Sequence, residues 1–242
     1  RAIGKIIYDN GEVLAKMGVE ETGMGKYEDK IVKNKAKAKI TWYKLKGVKS
    51  RGIIRRLDDI GVVEVAKPIG VIGCVSPTTN PTMTPNHNAM IALKGGNAII
   101  VCPHPRAKET GIATVDLMRK ALKDLGYPED LIQIVPDPTM EASSLVMQLC
   151  DATIATGGPG MVKAAYSSGK PSFGVGAGNV QSLVDTDVDL NVVAPKIAKS
   201  RTYDNGVLCT CEQCVHVQAE KYDELKDLLV AQGAYYIGSE EE

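Results

Sequence analysis

The chain has 242 residues, of which 44% are hydrophobic and 24% charged, a composition typical of a globular protein with a packed core. Its 29 basic and 29 acidic side chains cancel, so charge gives no reason to expect nucleic acid or a membrane surface as a partner. No apolar run approaches the roughly 20 residues of a spanning helix, and no signal-like segment opens the chain.

The cysteines and the chain ends lead to two further expectations. Six cysteines are scattered along the chain without the secretory context of a disulfide framework, so we expect reduced thiols in a cytoplasmic protein. The chain opens on Arg1 inside a helical pattern and stops at Glu242, soon after another helix-and-strand pattern. Both ends predict a piece of a longer polypeptide.

Residues 1–47 predict two helices. The first carries apolar residues at positions 3, 6, 7, 14 and 17 and ends at the break Gly23-Met24-Gly25. A basic helix follows over 30–46, with lysines at alternate positions from Lys33 to Lys39. A nucleic-acid-binding face is one interpretation of these lysines. Their alternation with alanine favours the other, a helix side that faces solvent.

Residues 48–66 predict a β-hairpin. Short β-branched runs flank the turn Asp58-Asp59-Ile60-Gly61 on both sides. The hairpin precedes the main run of strands, so we expect it to project from the body of the protein and to contact another subunit.

From Pro68 onward, strand patterns alternate with helix patterns. The predicted strands are 70–75, 97–102, 131–135, 152–155, 172–175 and 181–184. The predicted helices between and after them are 85–93, 108–125, 140–149, 159–167 and 192–199. This alternation predicts an α/β fold with a doubly wound parallel sheet, in which ligands bind beyond the carboxyl ends of the strands.

Two of the loops at that edge carry candidate polar groups. Asn80 stands between two prolines of the loop after the first strand, where a stiffly held amide suits stabilisation of a developing oxyanion. The alternative is an asparagine that satisfies a turn. In the next loop, His104 and Arg106 either meet the ribose or phosphate of a nucleotide or belong to a rigid solvent-facing loop.

Two later loops are rich in glycine. Thr156–Gly160 opens a helix, where glycine lets backbone N–H groups approach a phosphate, although neither the G-x-G-x-x-G nor the Walker A pattern is present. Gly174–Asn179 contains no carboxylate, whereas a thiol enzyme that hydrolyses its acyl intermediate needs a base to activate water. A tight connection between strands is the other interpretation of this second loop.

Three cysteines lie within six residues after the turn signal Asn205-Gly206. Cys209 sits just past the turn, where rigid backbone can expose a nucleophilic thiol. A zinc site built from Cys209, Cys211, Cys214 and His216 is the alternative, but the Cys-x-Cys spacing is tighter than the usual knuckle and no second knuckle follows. By default, Cys211 and Cys214 are small core residues.

These loops, in this order, resemble the aldehyde dehydrogenase superfamily and, more closely, its CoA-acylating branch. The matching stretches cover nearly the whole chain and are 65–72, 77–81, 103–108, 155–169, 174–179 and 203–209. The early stretch 20–30 favours the succinate-semialdehyde type. The family usually has serine where this chain has Cys211 and Cys214, so a thiol beside Cys209 is available to pair with it on oxidation.

The resemblance implies roles for individual residues and segments. Cys209 is the expected nucleophile, and Asn80 with the backbone N–H of Cys209 the expected oxyanion hole. Residues 1–47 and 67–198 form the expected Rossmann-like NAD(P)-binding domain, and 199–242 the start of a catalytic domain. The expected cofactor-binding residues are Thr78, Thr79, Pro103, His104, Pro105, Arg106, Thr156, Gly157, Gly158, Gly160 and Gly176.

The resemblance also implies an activity and its partners. We expect oxidation of a short-chain aldehyde to acyl-CoA through a cysteine thioester, with NAD or alternatively NADP as cofactor, coenzyme A as co-substrate and no metal. A homo-oligomer in the cytoplasm, or in a bacterial microcompartment, is expected. Two alternatives stay open: a hydrolytic dehydrogenase, for which Glu212 is the nearest candidate base, and an inactive truncated nucleotide-binding fragment.

Overall fold

The structure is a computed structural model that describes residues 1–238, and its chain divides into two compact units between Ala177 and Gly178. The helices of the first unit are α1 (Ala2–Asp9), α2 (Gly11–Thr22), α3 (Tyr27–Leu45), α4 (Met83–Lys94), α5 (Lys108–Lys123), α6 (Met140–Leu149) and α7 (Pro159–Tyr166). Its strands are β1 (Gly52–Leu57), β2 (Val62–Ala66), β3 (Val71–Val75), β4 (Ala98–Cys102), β5 (Ile132–Ile134), β6 (Ala152–Thr156) and β7 (Ser172–Val175).

The predicted doubly wound parallel sheet is confirmed. Its five strands lie in the order β5-β4-β3-β6-β7, and every neighbouring pair is parallel. Buried side chains of α1, α4 and α5 pack with Ile72, Ile99 and Val101 in one core. A second core contains Val75 and Ala155 together with buried residues of α6 and α7. Helices therefore cover the sheet on both faces, as right-handed crossovers require.

The amino-terminal helices differ from the prediction in two ways. The first predicted helix is two helices, because the chain breaks at Asn10, whose side-chain amide donates to the carbonyl of Ile6 at 2.8 Å. The expected end of α2 at Gly23 is confirmed, with a left-handed φ of 66°. The solvated-side interpretation of the lysines is wrong for Lys33, which is only 6% exposed, although Lys37 and Lys39 are exposed.

The predicted hairpin is confirmed as the antiparallel pair β1–β2. Arg55 and Glu64 face each other across it and form a two-point ion pair at 2.9 and 2.5 Å. Successive side chains of a strand point to opposite faces, and exposed apolar residues occur at both odd and even positions of this hairpin. The hairpin therefore exposes apolar side chains on both of its faces. These residues are Ile53, Ile54, Val62, Val63 and Val65.

The second unit is built from α8 (Leu190–Thr202), α9 (Tyr222–Ala231) and the parallel pair of β8 (Gln181–Leu183) and β9 (Cys214–His216). β8 was expected to extend the run of the main sheet, but it pairs with β9 instead. The compact units thus divide at Gly178, whereas the sequence placed a domain change at residue 199. Residues 239–242 of that predicted catalytic segment lie outside the described part of the chain.

Across residues 1–238, no helix is both long enough and apolar enough to cross a membrane.

Candidate active site

The carboxyl edge of the five-stranded sheet gathers four of the predicted loops. The chain runs from β3 outward through β4 to β5, then returns beside β3 to form β6 and β7. The direction of winding therefore reverses between β3 and β6, and parallel α/β sheets bind ligands in the crevice at such a point. The loops that follow β3 and β6 flank this crevice, and they contain Asn80 and Gly157 respectively.

The loop after β3 is tied to the neighbouring strand and leads into α4. The backbone N–H of Ser76 donates to the carbonyl of Cys102 at 3.0 Å, and the carbonyl of Asn80 accepts from Thr84 N–H at 3.3 Å. The side-chain amide of Asn80 donates to Thr79 Oγ1 at a long 3.4 Å. Ser76 is 3% exposed, and its Oγ has no hydrogen-bond partner among the described residues.

The loop after β4 is closed by the His104 side chain. Its Nδ1 accepts the backbone N–H of Arg106 at 3.1 Å, which starts a short 3-10 turn over Pro105–Ala107. Burial, and secondly the positive charge of Arg106, lower the pKa of His104 below its ordinary value. The imidazole is therefore neutral at pH 7, and Arg106 is the cation of this loop.

Glu21, which the sequence analysis assigned no role, fixes the position of α5 directly after this loop. Its carboxylate accepts the backbone N–H groups of Glu109 and Thr110, both at 2.8 Å, and the hydroxyl of Thr110 at 2.6 Å. A carboxylate at a helix amino terminus stabilises otherwise unpaired N–H groups. The contact joins residues 88 and 89 positions apart, so no local sequence signal could have found it.

The glycine-rich loop after β6 leads into α7. Gly157 uses its N–H in a 3.1 Å bond to the carbonyl of Val175, and Pro159 has none to offer. The first-turn donors that remain are the N–H groups of Gly160 and Met161. A Cβ added at Gly158 or Gly160 would meet no atom within 4 Å, so the backbone here is open to the approach of a ligand.

Gly174 in β7 is enclosed by α7. A Cβ added there would lie 2.7 Å from Val162 Cγ1 and 2.9 Å from the ring of Tyr166, whose hydroxyl accepts the N–H of Gly174 at 3.2 Å. A side chain at this position would have to displace the side chains of Val162 and Tyr166 in α7. At Gly176 the nearest atom would be 3.6 Å away, which is ordinary contact.

Cys209 belongs to the second unit, where it follows an unusual turn. Asp204, Asn205 and Gly206 all have left-handed backbone, with φ of 51°, 54° and 70°. Asp204 is fully buried, and its carbonyl accepts the N–H of Val207 at 3.1 Å, so the turn is anchored. The expected change of direction is confirmed, and Cys209 is exposed beyond it.

The other cysteines differ from Cys209 in their surroundings. Burial raises the pKa of Cys74 to about 12 and also raises the pKa of Cys102, Cys150 and Cys211. These four thiols stay protonated and unreactive at neutral pH. Cys214 is half-buried rather than a core residue, which corrects the expectation for it.

The sequence-predicted residues fall into two groups. Thr78, Thr79, Asn80, the 103–106 loop, Thr156, the glycines 157, 158 and 160, and Gly176 belong to the first unit, at or near the carboxyl edge of its sheet. Cys209 belongs to the second. Among the described residues, no three histidine, cysteine or carboxylate side chains converge as metal ligands, so the geometry gives the zinc interpretation no support.

Comparison with known proteins agrees with this arrangement. The aldehyde dehydrogenase family profile matches residues 1–239. The chain is 50% identical over 241 residues to the succinate-semialdehyde dehydrogenase (acetylating) of Clostridium kluyveri, covering all of this chain and 53% of that protein. The chain thus spans about half the length of this curated relative.

Solved structures show the same similarity. An acetylating aldehyde dehydrogenase from Geobacillus thermoglucosidasius superposes with a TM-score of 0.93 at 39% identity, over 99% of this chain and 53% of its own. A propionaldehyde dehydrogenase from Rhodopseudomonas palustris with bound propionyl-CoA superposes with a TM-score of 0.86 at 33% identity, over 99% and 53%. With its parallel sheet, its switch-point loops and an exposed cysteine after an anchored turn, this chain belongs to the aldehyde dehydrogenase family.

Proposed function

We propose that this chain serves a CoA-acylating aldehyde dehydrogenase, which converts a short-chain aldehyde, NAD(P)⁺ and coenzyme A into acyl-CoA, NAD(P)H and a proton. The observation that carries the proposal is the thiol of Cys209, exposed beyond an anchored left-handed turn while four other thiols are buried. A nucleophile needs both access to its substrate and a rigid support.

The first unit offers groups that fit a dinucleotide. The open backbone at Gly158 and Gly160 and the first-turn donors of α7 suit a pyrophosphate, and the unpartnered buried Oγ of Ser76 suits a polar ligand atom at the same edge. Arg106 is the available cation for the adenosine side. Thr78, Thr79 and the 103–106 loop are proposed contacts, as are Thr156 and Gly176. Arg106 suits a 2′-phosphate as well as a ribose hydroxyl, so NAD and NADP are both tested below.

Cys209 and Asn80 are the proposed catalytic residues. The Cys209 sulfur attacks the aldehyde carbonyl carbon, a C–S bond forms and the carbonyl oxygen becomes an oxyanion. Asn80, with its loosely held amide, and the Cys209 backbone N–H are proposed to stabilise that oxyanion. NAD(P)⁺, when bound, accepts the hydride that leaves the carbon. Cys209 then carries a thioester, and the coenzyme A thiol attacks it, releasing acyl-CoA and the Cys209 thiol.

The packing at Gly174 favours transfer to a thiol over hydrolysis. The predicted glycine-rich segment contains no carboxylate, and a carboxylate side chain at Gly174 would have to displace the side chains of Val162 and Tyr166. The C. kluyveri relative and both solved structures are named as acylating enzymes or contain an acyl-CoA. Hydrolysis would require another base, and Glu212 is the candidate that the sequence offers.

The test uses the complete protein encoded by the reading frame that contains this chain. It is incubated with succinate semialdehyde, acetaldehyde or propionaldehyde and with NAD⁺ or NADP⁺, each with and without coenzyme A. We expect reduced cofactor and acyl-CoA to form in equal amounts only when coenzyme A is present. Free acid formed without coenzyme A would show the hydrolytic enzyme instead, and no turnover with any aldehyde would contradict both.

A pair of variants tests the nucleophile. Cys209→Ser is expected to abolish turnover and to keep cofactor binding, measured by quenching of protein fluorescence. Cys211→Ser is the matched control, because that thiol is buried and donates to a backbone carbonyl at 3.6 Å. Retained turnover in Cys209→Ser would remove this residue from the mechanism.

The hairpin is the proposed contact between copies of the chain. Its two strands expose apolar side chains on both faces, and exposed apolar patches of this kind mark association surfaces. A homo-oligomer in the cytoplasm remains our expectation, and the oligomer is tested in the Discussion.

A further inference from the structure

The buried face of α3 carries charge where a helix normally carries apolar residues. Its buried residues are at positions 30, 33, 34, 38 and 41, which is the spacing of one side of a helix. In the amino-terminal half of α3 they are Lys30, Lys33 and Asn34, which are 5%, 6% and 4% exposed. Lysine is rarely buried to this degree, because removing its charge from water is costly. The two buried ammonium groups are therefore candidates for a binding role.

Two other polar residues of this face attach α3 to its neighbours. The side-chain amide of Asn34 donates to the carbonyl of Gly11 in α2 at 3.2 Å. The hydroxyl of Thr41 lies within hydrogen-bond distance of His87 Nδ1 in α4, at 3.1 Å. These contacts fix α3 against α2 and α4, so the direction in which its buried face points is set by the fold of the first unit.

Lys30 and Lys33 line a small cavity together with the loop that carries Asn80. Residues 79–83, Asn34 and part of α2 form the rest of its wall. Its volume is about 10 Å³, roughly the space of one water molecule. Among the described residues of this wall, the charged ones are the two lysines, and none is an aspartate or glutamate. The cavity thus combines positive charge with room for one oxygen atom.

We propose that Lys30 and Lys33 recognise an acid group on the aldehyde, so that the preferred substrate is a short aldehyde that carries a carboxylate. One carboxylate oxygen occupies the cavity and accepts charge-assisted hydrogen bonds from the ammonium groups. Each ammonium has three N–H donors, so a lysine that already donates to the protein can also donate to this oxygen. The inference rests on the proposed dehydrogenase function and names its substrate class.

The place of Asn80 in the same wall limits the length of the substrate. Asn80 is the proposed donor to the aldehyde oxygen, and it also lines the cavity that takes the acid group. The two ends of the substrate must therefore reach neighbouring groups, which a chain of a few carbon atoms does. An uncharged aldehyde of equal length forms no charge-assisted bond in the cavity and should be used less efficiently.

The test compares two aldehydes of equal chain length in the complete protein. Succinate semialdehyde carries a carboxylate, whereas butyraldehyde has the same number of carbon atoms and no charge. Formation of reduced cofactor gives kcat/KM for each, and their ratio within one preparation cancels differences in the folded fraction. We expect the wild-type protein to prefer succinate semialdehyde. Lys30→Met and Lys33→Met should each lower the ratio roughly ten- to a hundredfold, the effect of losing a charge-assisted hydrogen bond.

Lys39→Met is the matched control. Lys39 belongs to the same helix and is exposed, so this variant should keep the wild-type ratio. If Lys30→Met and Lys33→Met also keep that ratio, and change kcat/KM equally for both aldehydes, the two lysines support the fold only and the inference is wrong.

A binding measurement separates this inference from the proposed reaction. Succinate has the acid group but no aldehyde, and it is titrated into the complete protein by calorimetry. We expect it to bind the wild-type protein and Lys39→Met, and to bind Lys33→Met at least about tenfold more weakly. This result without turnover of any aldehyde would contradict the proposed reaction and keep the anion site. Succinate binding that does not depend on Lys33, or no succinate binding, would overturn the anion site.

Discussion

Glu21 and Thr110 join the carboxyl end of α2 to the first turn of α5. The Glu21 carboxylate accepts both the backbone N–H and the hydroxyl of Thr110, at 2.8 and 2.6 Å, as well as the neighbouring N–H of Glu109. Thr110 is fully buried. The loop that contains His104 ends where α5 begins. This contact therefore fixes the position of that end of the loop.

Replacing the Glu21 carboxylate should therefore destabilise the fold and leave the loop that contains His104 less firmly held. We expect Glu21→Gln to lower the free energy of unfolding by about 1–3 kcal/mol, because a charged acceptor of three hydrogen bonds is lost. Urea denaturation measures this. Glu20→Gln is the matched control, since Glu20 is largely exposed and its ion pair with Lys16 is long, at 3.8 Å. This variant should change the free energy of unfolding by less than about 0.5 kcal/mol. Equal effects of the two variants would contradict the assignment.

His104 should titrate below the ordinary histidine range of about 6.5. Burial and the charge of Arg106 both lower the pKa of His104, so between that pKa and about 6.5 the folded chain binds fewer protons than the unfolded one. The stability that this group contributes is therefore full above about pH 6.5 and falls as the pH is lowered to the folded pKa.

Arg106→Gln removes one of the two causes and should raise the pKa of His104. The chain has three histidines, so ring resonances in NMR spectra can be assigned with His104→Gln. Arg56→Gln, a change in the hairpin, is the control and should leave the titration unchanged. If the pKa of His104 stays the same or falls in Arg106→Gln, the electrostatic account is wrong.

Gly174→Ala should be destabilising because α7 lies against this position. Its new methyl group would come within 2.7 Å of Val162 and 2.9 Å of Tyr166, and overpacking of this kind costs about 1–3 kcal/mol. Gly176→Ala places a methyl group at an ordinary 3.6 Å and should be close to neutral. The denaturation midpoints of the two variants measure the difference, and equal midpoints would show that the Val162 and Tyr166 side chains move aside at little cost.

Asn80→Ala tests the proposed oxyanion donor in the complete enzyme. Loss of one such donor lowers kcat by about a hundred- to a thousandfold in known cases. We expect a loss of this size with an unchanged cofactor dissociation constant, because the amide acts on the reacting carbonyl. Stopped-flow measurement of reduced cofactor gives kcat. A variant with normal kcat would assign Asn80 to the turn alone.

The hairpin prediction concerns association. Ile53 and Val65 are partners in the β1–β2 register and are 42% and 50% exposed. Val65→Lys places a charge on this apolar surface and should shift the complete protein to smaller oligomers, as measured by light scattering after gel filtration. Val13→Lys, at a 61% exposed position of α2, should not. An unchanged mass for Val65→Lys would exclude this face as the contact.

Much of the first unit follows from local signals. The strands and helices between residues 70 and 167 lie where apolar periodicity placed them, within a few residues, and Gly23 ends α2 as its lack of a side chain allows. The turn before Cys209 could likewise be predicted from the sequence, since Asn and Gly both tolerate the left-handed backbone found at Asn205 and Gly206. These features depend on residues close together in the chain, so the sequence alone determined them.

Other features depend on contacts between distant residues, and only the tertiary structure decided them. Lys33 is buried where a solvated lysine was expected. The pairing of β8 with β9 and the bond from Glu21 to Thr110 join segments that no spacing rule connects. A hydrogen bond or a buried side chain needs its partner in space, and folding alone brings that partner near.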